Sequence, residues 1–201
     1  MDLAGADHLV AGAASSRDER ARHPLDEAPI PVMPTPAPVL DDVLEPGLKV
    51  VFCGTAPGHE SARRCAYYAG PGNRFWPTLH LVGLTPHRLL PEHFRQLPTW
   101  GIGLTDLVKH TSGMDHDLRP EDYDPHGLRA RILAVEPLFL CFNGKQAART
   151  FLGASRVDLG LHPGDRIGRT RIFVAPSTSG RATKFWDVSV WHELARLVRD
   201  T

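Results

Sequence analysis

The sequence predicts an α/β fold: an open, mostly parallel central sheet of about four strands, flanked by helices on both faces. Three observations carry this. From residue 48 onward, short runs rich in branched apolar residues alternate with segments of helical period, the signature of strand–helix–strand units. The runs are bounded by glycine and polar turns, as buried strands are. The length of 201 residues suits one such domain with an appendage and leaves no room for two.

Residues 1–47 are rich in Ala, Pro and acids, with Pro24, Pro29, Pro31, Pro34, Pro36 and Pro38 interrupting any period. Such a segment buries little and is expected to be a disordered or loosely docked tail. The domain is expected to span 48–201, opening with a strand at 48–54 (LKVVFCG). Residues 75–83 (FWPTLHLVG) read as a helix opened near Asn73 and closed by Gly83. A second strand is expected at 101–108, a helix at 124–135, a third strand at 138–142 and a helix at 144–152. A fourth strand follows at 171–175 and a closing helix at 185–199, with Val188, Trp191, Leu194, Ala195 and Val198 along one side. In such sheets the working site lies outside the carboxyl ends of the strands.

Composition narrows the partners. The formal net charge is zero, yet residues 1–47 hold nine acids and three bases, leaving 14 acids and 20 bases for residues 48–201. A basic domain behind an acidic segment is compatible with a phosphate backbone, although a solvated arginine-rich face gives the same balance. The three cysteines, Cys53, Cys65 and Cys141, have no C-x-x-C spacing and cannot supply a four-ligand metal site, so no metal and no cofactor is expected. Cys53 and Cys141 sit in apolar runs and read as buried reduced thiols. With no apolar segment near Met1 and no run approaching 18 apolar residues, a cytoplasmic, nucleoid-associated monomer without membrane contact is expected.

Four loops leave the predicted strand ends. The first is Gly54-Thr55-Ala56-Pro57-Gly58, followed by the block from Tyr67 to Trp76 (YYAGPGNRFW). The second strand ends at Asp106. The third loop is Phe142-Asn143-Gly144-Lys145, and the fourth runs Ala175-Pro176-Ser177-Thr178-Ser179-Gly180-Arg181. In order and spacing these segments resemble the Mug and thymine-DNA glycosylase branch of the uracil-DNA glycosylase superfamily, over roughly residues 48–199. The resemblance rests on G-x-x-P-G, P-G-N-R-F-W, G-I-G-L-T-x-L-V, F-N-G-K and A-P-S-T-S-G-R in register.

The resemblance implies a uracil-DNA glycosylase-like fold, with a base flipped from duplex DNA into a pocket. Gly54, Thr55, Ala56 and Gly58 would cradle the pyrimidine with backbone groups, glycine allowing close approach. Tyr68 would stack on its face, the alternative being an ordinary rim aromatic. Asn143 joins the base-binding set, and Ser61 would either line the pocket or cap a helix. Ser177, Thr178 and Ser179 would donate to phosphates, with Gly180 permitting close approach. Arg181 would fill the hole left by the flipped nucleotide or bind phosphate alone, and Arg74 and Lys145 are further backbone candidates.

One position departs from the family pattern. The first loop of the family carries an asparagine that positions water, and here that residue is Ala56. Asp106, ending the neighbouring strand, is the candidate replacement, since a carboxylate can stabilise an oxocarbenium-like transition state and orient or deprotonate water. The competing reading has Asp106 selecting the base, as its counterpart in thymine-DNA glycosylase is an asparagine near the base's polar edge. His59, Glu60, His110, Asp115, His116 and Asp117 are lesser candidates to reach water. No lysine occupies an obvious nucleophile position, so a monofunctional enzyme leaving an abasic site is expected, and a non-cleaving lesion-binding protein is the alternative. Neither G-x-G-x-x-G nor a P-loop is present, which argues against a nucleotide-binding enzyme of another class.

Overall fold

Every residue of β1 (Val50–Gly54) is buried, a state open to a strand only inside a sheet covered on both faces. The computed structural model, which describes residues 36–201, provides that cover. β1 pairs in parallel with β2 (Ile102–Asp106) and β3 (Phe139–Asn143), and β3 pairs in parallel with β5 (Thr170–Ala175). β4 (Gly160–Ile167) runs antiparallel on the outer side of β5, giving the order β2-β1-β3-β5-β4.

Alternate side chains feed two cores. Val50, Phe52, Ile102, Leu104, Phe139, Cys141 and Phe173 point to the face covered by α2 (Phe75–Leu81) and α5 (Val188–Arg199). Val51, Cys53, Leu140, Phe142, Ile172 and Val174 point to the face covered by α3 (Pro125–Val135) and α4 (Lys145–Leu152). Helix boundaries follow local chemistry. The Asp124 side chain accepts from the Gly127 N–H ahead of Pro125, and the Asp187 side chain accepts from the Ser189 N–H, both ordinary N-caps. α5 buries Trp191, Leu194, Ala195 and Val198, the side expected from its period, although it begins at Val188 rather than 185.

The sheet has five strands where four were expected. β4 (GLHPGDRI) escapes a periodicity reading because Pro163 and Gly164 break its alternation, and only its ends are buried. Its register against β5 shifts between His162 and Arg166. An edge position tolerates both, since one side of the strand owes no hydrogen bonds. The five-residue helix α1 (His59–Arg63) and the 3-10 segment Pro91–Trp100 were also absent from the sequence reading.

The segment before Gly47 is the second difference. Residues 1–35 of the expected tail lie outside the described residues, but residues 36–47 pack on the domain. Leu40 and Val43 are buried. Val43 exchanges both backbone hydrogen bonds with Leu104, at 2.9 and 3.0 Å, so the segment caps the otherwise open edge of β2. Two apolar anchors between prolines and acids make no period, which is why the sequence placed the boundary at 47.

The register sets up the site. It places Gly54 beside Asp106 and Asn143 beside Ala175, so the carboxyl ends of four parallel strands lie level at one edge of the sheet.

Candidate active site

A cleft of about 1220 Å³ opens over those strand ends, and all fifteen site residues expected from the sequence line it. At its floor lies Asp106, only 2 % exposed, with one carboxylate oxygen lacking any hydrogen-bond partner. Burial pushes this carboxyl up from the usual range to about 7, because a charge removed from water is disfavoured. Gly54 makes its placement possible. A Cβ at Gly54 would stand 2.7 Å from Asp106 Oδ1, well inside contact distance, so the glycine serves the carboxylate and not the backbone angle.

Ala56, half-buried on the cleft wall, presents a methyl in place of a polar side chain. Around it the first loop is tied down by backbone bonds alone: Val108 N–H donates to Thr55 O at 2.8 Å and Gly113 N–H to Pro57 O at 3.0 Å. Next to Gly58 the space is open, nothing lying within 4 Å of a Cβ built there.

Tyr68 adopts a left-handed backbone, φ 54°, an uncommon state for a non-glycine residue. Two contacts hold it there. Its ring stacks on Phe75 with centroids 3.9 Å apart, and the next N–H, of Ala69, donates to Ser61 Oγ at 3.1 Å. Ser61 is therefore an anchor of the aromatic turn on the cleft wall, and α1 is capped instead by Gly58 without a side-chain bond. The Tyr68 hydroxyl is buried without a partner.

Asn143 and Thr178 bind each other. Asn143 Nδ2 donates to Thr178 Oγ1 at 2.8 Å, and Thr178 N–H donates to Asn143 Oδ1 at 2.9 Å. Much of the amide's capacity is thus spent inside the protein, tying the end of β3 to the loop after β5. Thr178 has no exposed surface, so it is placed as an anchor rather than among the phosphate donors. Ser177 and Ser179 are half-buried, and their hydroxyl oxygens accept from the N–H of Ser179 and Arg181, local turns that shape the loop. Gly180 lies against the Pro71 and Gly72 backbone, where a Cβ would meet Pro71 O at 3.0 Å. Arg181 is exposed at the rim, and among the described residues no side chain pairs with its guanidinium. Lys145 is exposed at the start of α4. Arg74 differs: its guanidinium lies 5.0 Å over the Trp186 ring, and its N–H donates to Thr178 O, so it braces the loop from behind.

The family model for the uracil DNA glycosylase superfamily matches residues 42–195. The chain belongs to that superfamily. A candidate uracil DNA glycosylase of Methanosarcina acetivorans, solved by NMR, superposes with a TM-score of 0.53 at 23 % identity, over 80 % of this chain and 96 % of that one. That likeness concerns the fold. Membership in the superfamily supports DNA glycosylase activity in general, and the match begins at Asp42, inside the segment that precedes the expected boundary.

The cleft also holds Tyr67, whose hydroxyl is buried near Asp106, and a loop carrying Gly113 and Met114, neither of them expected from the sequence. Of the lesser candidates, His59, Glu60, Asp115 and His116 reach the cleft. His59 and His116 lie 3.5 and 3.4 Å from Asp117 at the exposed mouth, while His110 faces Ala37 O. Among the described residues no three His, Cys, Asp or Glu side chains gather as a metal site, and no helix is long and apolar enough to cross a membrane.

Proposed function

We propose that the protein is a monofunctional DNA glycosylase of the mismatch-specific Mug and thymine-DNA glycosylase kind, working as a monomer. It flips uracil, and with it thymine or other deaminated bases opposite guanine, and hydrolyses the N-glycosidic bond to leave an abasic site. The observation that carries this is Asp106: a buried carboxylate with an unpartnered oxygen at the floor of the cleft, where the position of the family's water-binding asparagine holds the Ala56 methyl.

The chemistry follows from that placement. A mispaired base costs less to extrude than a paired one, and Tyr68 supplies a rigid aromatic wall for it. As the C1′–N bond breaks, the departing base keeps the bonding electrons and positive charge grows on the sugar. The Asp106 carboxylate stabilises that charge in a site of low dielectric. Water then forms the C1′–O bond and gives its proton to Asp106. Arg181, at the rim and unpaired, enters the gap in the duplex. Ser177, Ser179 and Lys145 hold phosphates on either side, as positioning contacts do. Asn143 and Thr178 keep that loop in register with the base pocket, and Asn143 meets the base with what remains of its amide.

Incubation of the protein with uracil-containing duplex tests the proposal. Alkali-labile abasic sites without direct strand cutting are expected, with excision reduced about 10²–10⁴-fold in Asp106→Asn. Ala56 favours a second reading, a lesion sensor that holds the flipped base without cleaving. Stable complexes with uracil DNA and no released base from the wild-type protein would establish that reading in place of the first.

A further inference from the structure

The segment before β1 carries a charged residue into the layer behind Asp106. Asp42 Oδ1 accepts from Lys109 Nζ at 2.6 Å and from Thr105 Oγ1 at 2.7 Å. Its other oxygen lies 3.2 Å from Arg131 Nε of α3, in ion-pair range without hydrogen-bond geometry. Lys109 Nζ also donates to Leu40 O at 2.7 Å, and the lysine is 6 % exposed. Arg131 reaches Asp106 itself, donating to its backbone oxygen at 3.0 Å. The cluster therefore grips the chain at residues 105, 106 and 109.

We propose that Asp42, Lys109 and Arg131 form a positioning cluster that seats Asp106 and sets the charge state in which it works. The inference rests on the reading of Asp106 as the catalytic carboxylate. A buried lysine bonded to a carboxylate and a carbonyl is more than a fold needs at the edge of a sheet, where an apolar residue would serve at less desolvation cost. Its position, three residues beyond Asp106, gives it another use. Taken together the three side chains carry one net positive charge against the back of the pocket. That charge opposes the effect of burial and keeps the carboxylate ionisable near neutrality. Lys109 and Arg131 act to lower the Asp106 carboxyl and Asp42 to raise it. The other groups facing Asp106 are the Cys53 thiol from β1 and the Tyr67 and Tyr68 hydroxyls from the loop after α1. Burial pushes all three upward, so they stay neutral through the working range. Asp124, 3.6 Å from Arg131 and half-exposed, closes the outer side.

The cluster predicts opposite shifts from two variants. Removing the lysine charge in Lys109→Met moves the acid limb of the single-turnover excision profile to higher pH. Removing the acid in Asp42→Asn, whose amide oxygen still accepts from Thr105 and Lys109, moves it to lower pH. Each shift is about half to one pH unit. Lys109→Arg, which keeps the charge, restores the wild-type limb. A merely structural cluster would lower stability and rate in all three without moving the limb, and limbs that coincide with wild type, or that move in the same direction, overturn the inference. Should Asp42→Asn fail to fold, the Lys109→Met and Lys109→Arg pair decides the matter alone. Asp106→Asn is run alongside: if it excises at the wild-type rate, the catalytic reading of Asp106 fails and takes this inference with it. If it is inactive while the limbs do not move, this inference alone fails.

Discussion

Gly54 and Asp106 form one unit across two strands. Because a methyl at Gly54 would stand 2.7 Å from the carboxylate, Gly54→Ala is expected to displace Asp106 and lower excision by about 10²-fold or more, with DNA binding less affected; parallel binding and single-turnover assays check this. Asp106 also carries a stability cost whose sign is fixed. Its carboxyl is raised from 3.8 to about 7, so between those values the native state holds a proton that the unfolded chain has lost, and stability falls as pH rises through that window. Asp106→Asn lacks the buried charge. It is expected to be more stable than wild type at pH 8, by roughly 2–4 kcal/mol, with the difference vanishing near pH 4, as urea denaturation at the two pH values would show. Asp106 was legible in the sequence because it ends a strand at the expected edge of the sheet. Its supporting charges were not. Lys109 and Asp42 are 67 residues apart, and no local pattern links an acid in a proline-rich stretch to a lysine beyond a later strand.

Among the elements, the loop after β5 carries the duplex contacts proposed above. Its inner end is locked by Asn143 and Thr178, its middle by Gly180 against the Pro71–Gly72 backbone, and its outer end leaves Arg181 exposed. Arg181→Ala is therefore expected to keep the fold and weaken uracil-duplex binding about tenfold, as loss of a charged hydrogen bond does. If the side chain binds phosphate alone, the weakening will be uniform across sequences and the salt dependence will fall by about one phosphate. A titration at several salt concentrations distinguishes the two. The run Ala175 to Arg181 was recognisable from its residues, and its members from Ser177 onward reach the cleft. The division of labour within it was not, because the Asn143–Thr178 pair joins residues 35 apart. β4 was lost for a related reason: proline, glycine and half-exposed residues spell a loop until an edge partner is known.

At the scale of the whole molecule, the parallel strands, the helices on both faces and the site at the strand ends follow from the alternation of short apolar runs with helical segments. The N-terminal boundary does not. Residues 36–47 give only Leu40 and Val43 to the core, too few for any period, yet they cap the edge of β2 and bring Asp42 behind Asp106. Leu40→Ala is expected to destabilise the domain by about 2–4 kcal/mol, measured by denaturant unfolding, where an unanchored tail would give no change. The charge surplus of residues 48–201 agrees with a DNA partner but includes the Lys109 and Arg131 charges, which face Asp42 rather than the duplex.

The most direct test of the account is single-turnover release of base from a U·G duplex between pH 5 and 9, by wild type and by Asp106→Asn. Abasic product is expected from the wild type, at a rate that rises with pH through about 7 as the carboxylate ionises, with a near-flat residual rate in the variant. Equal rates for the two proteins, or no base released by the wild type at any pH, would contradict it.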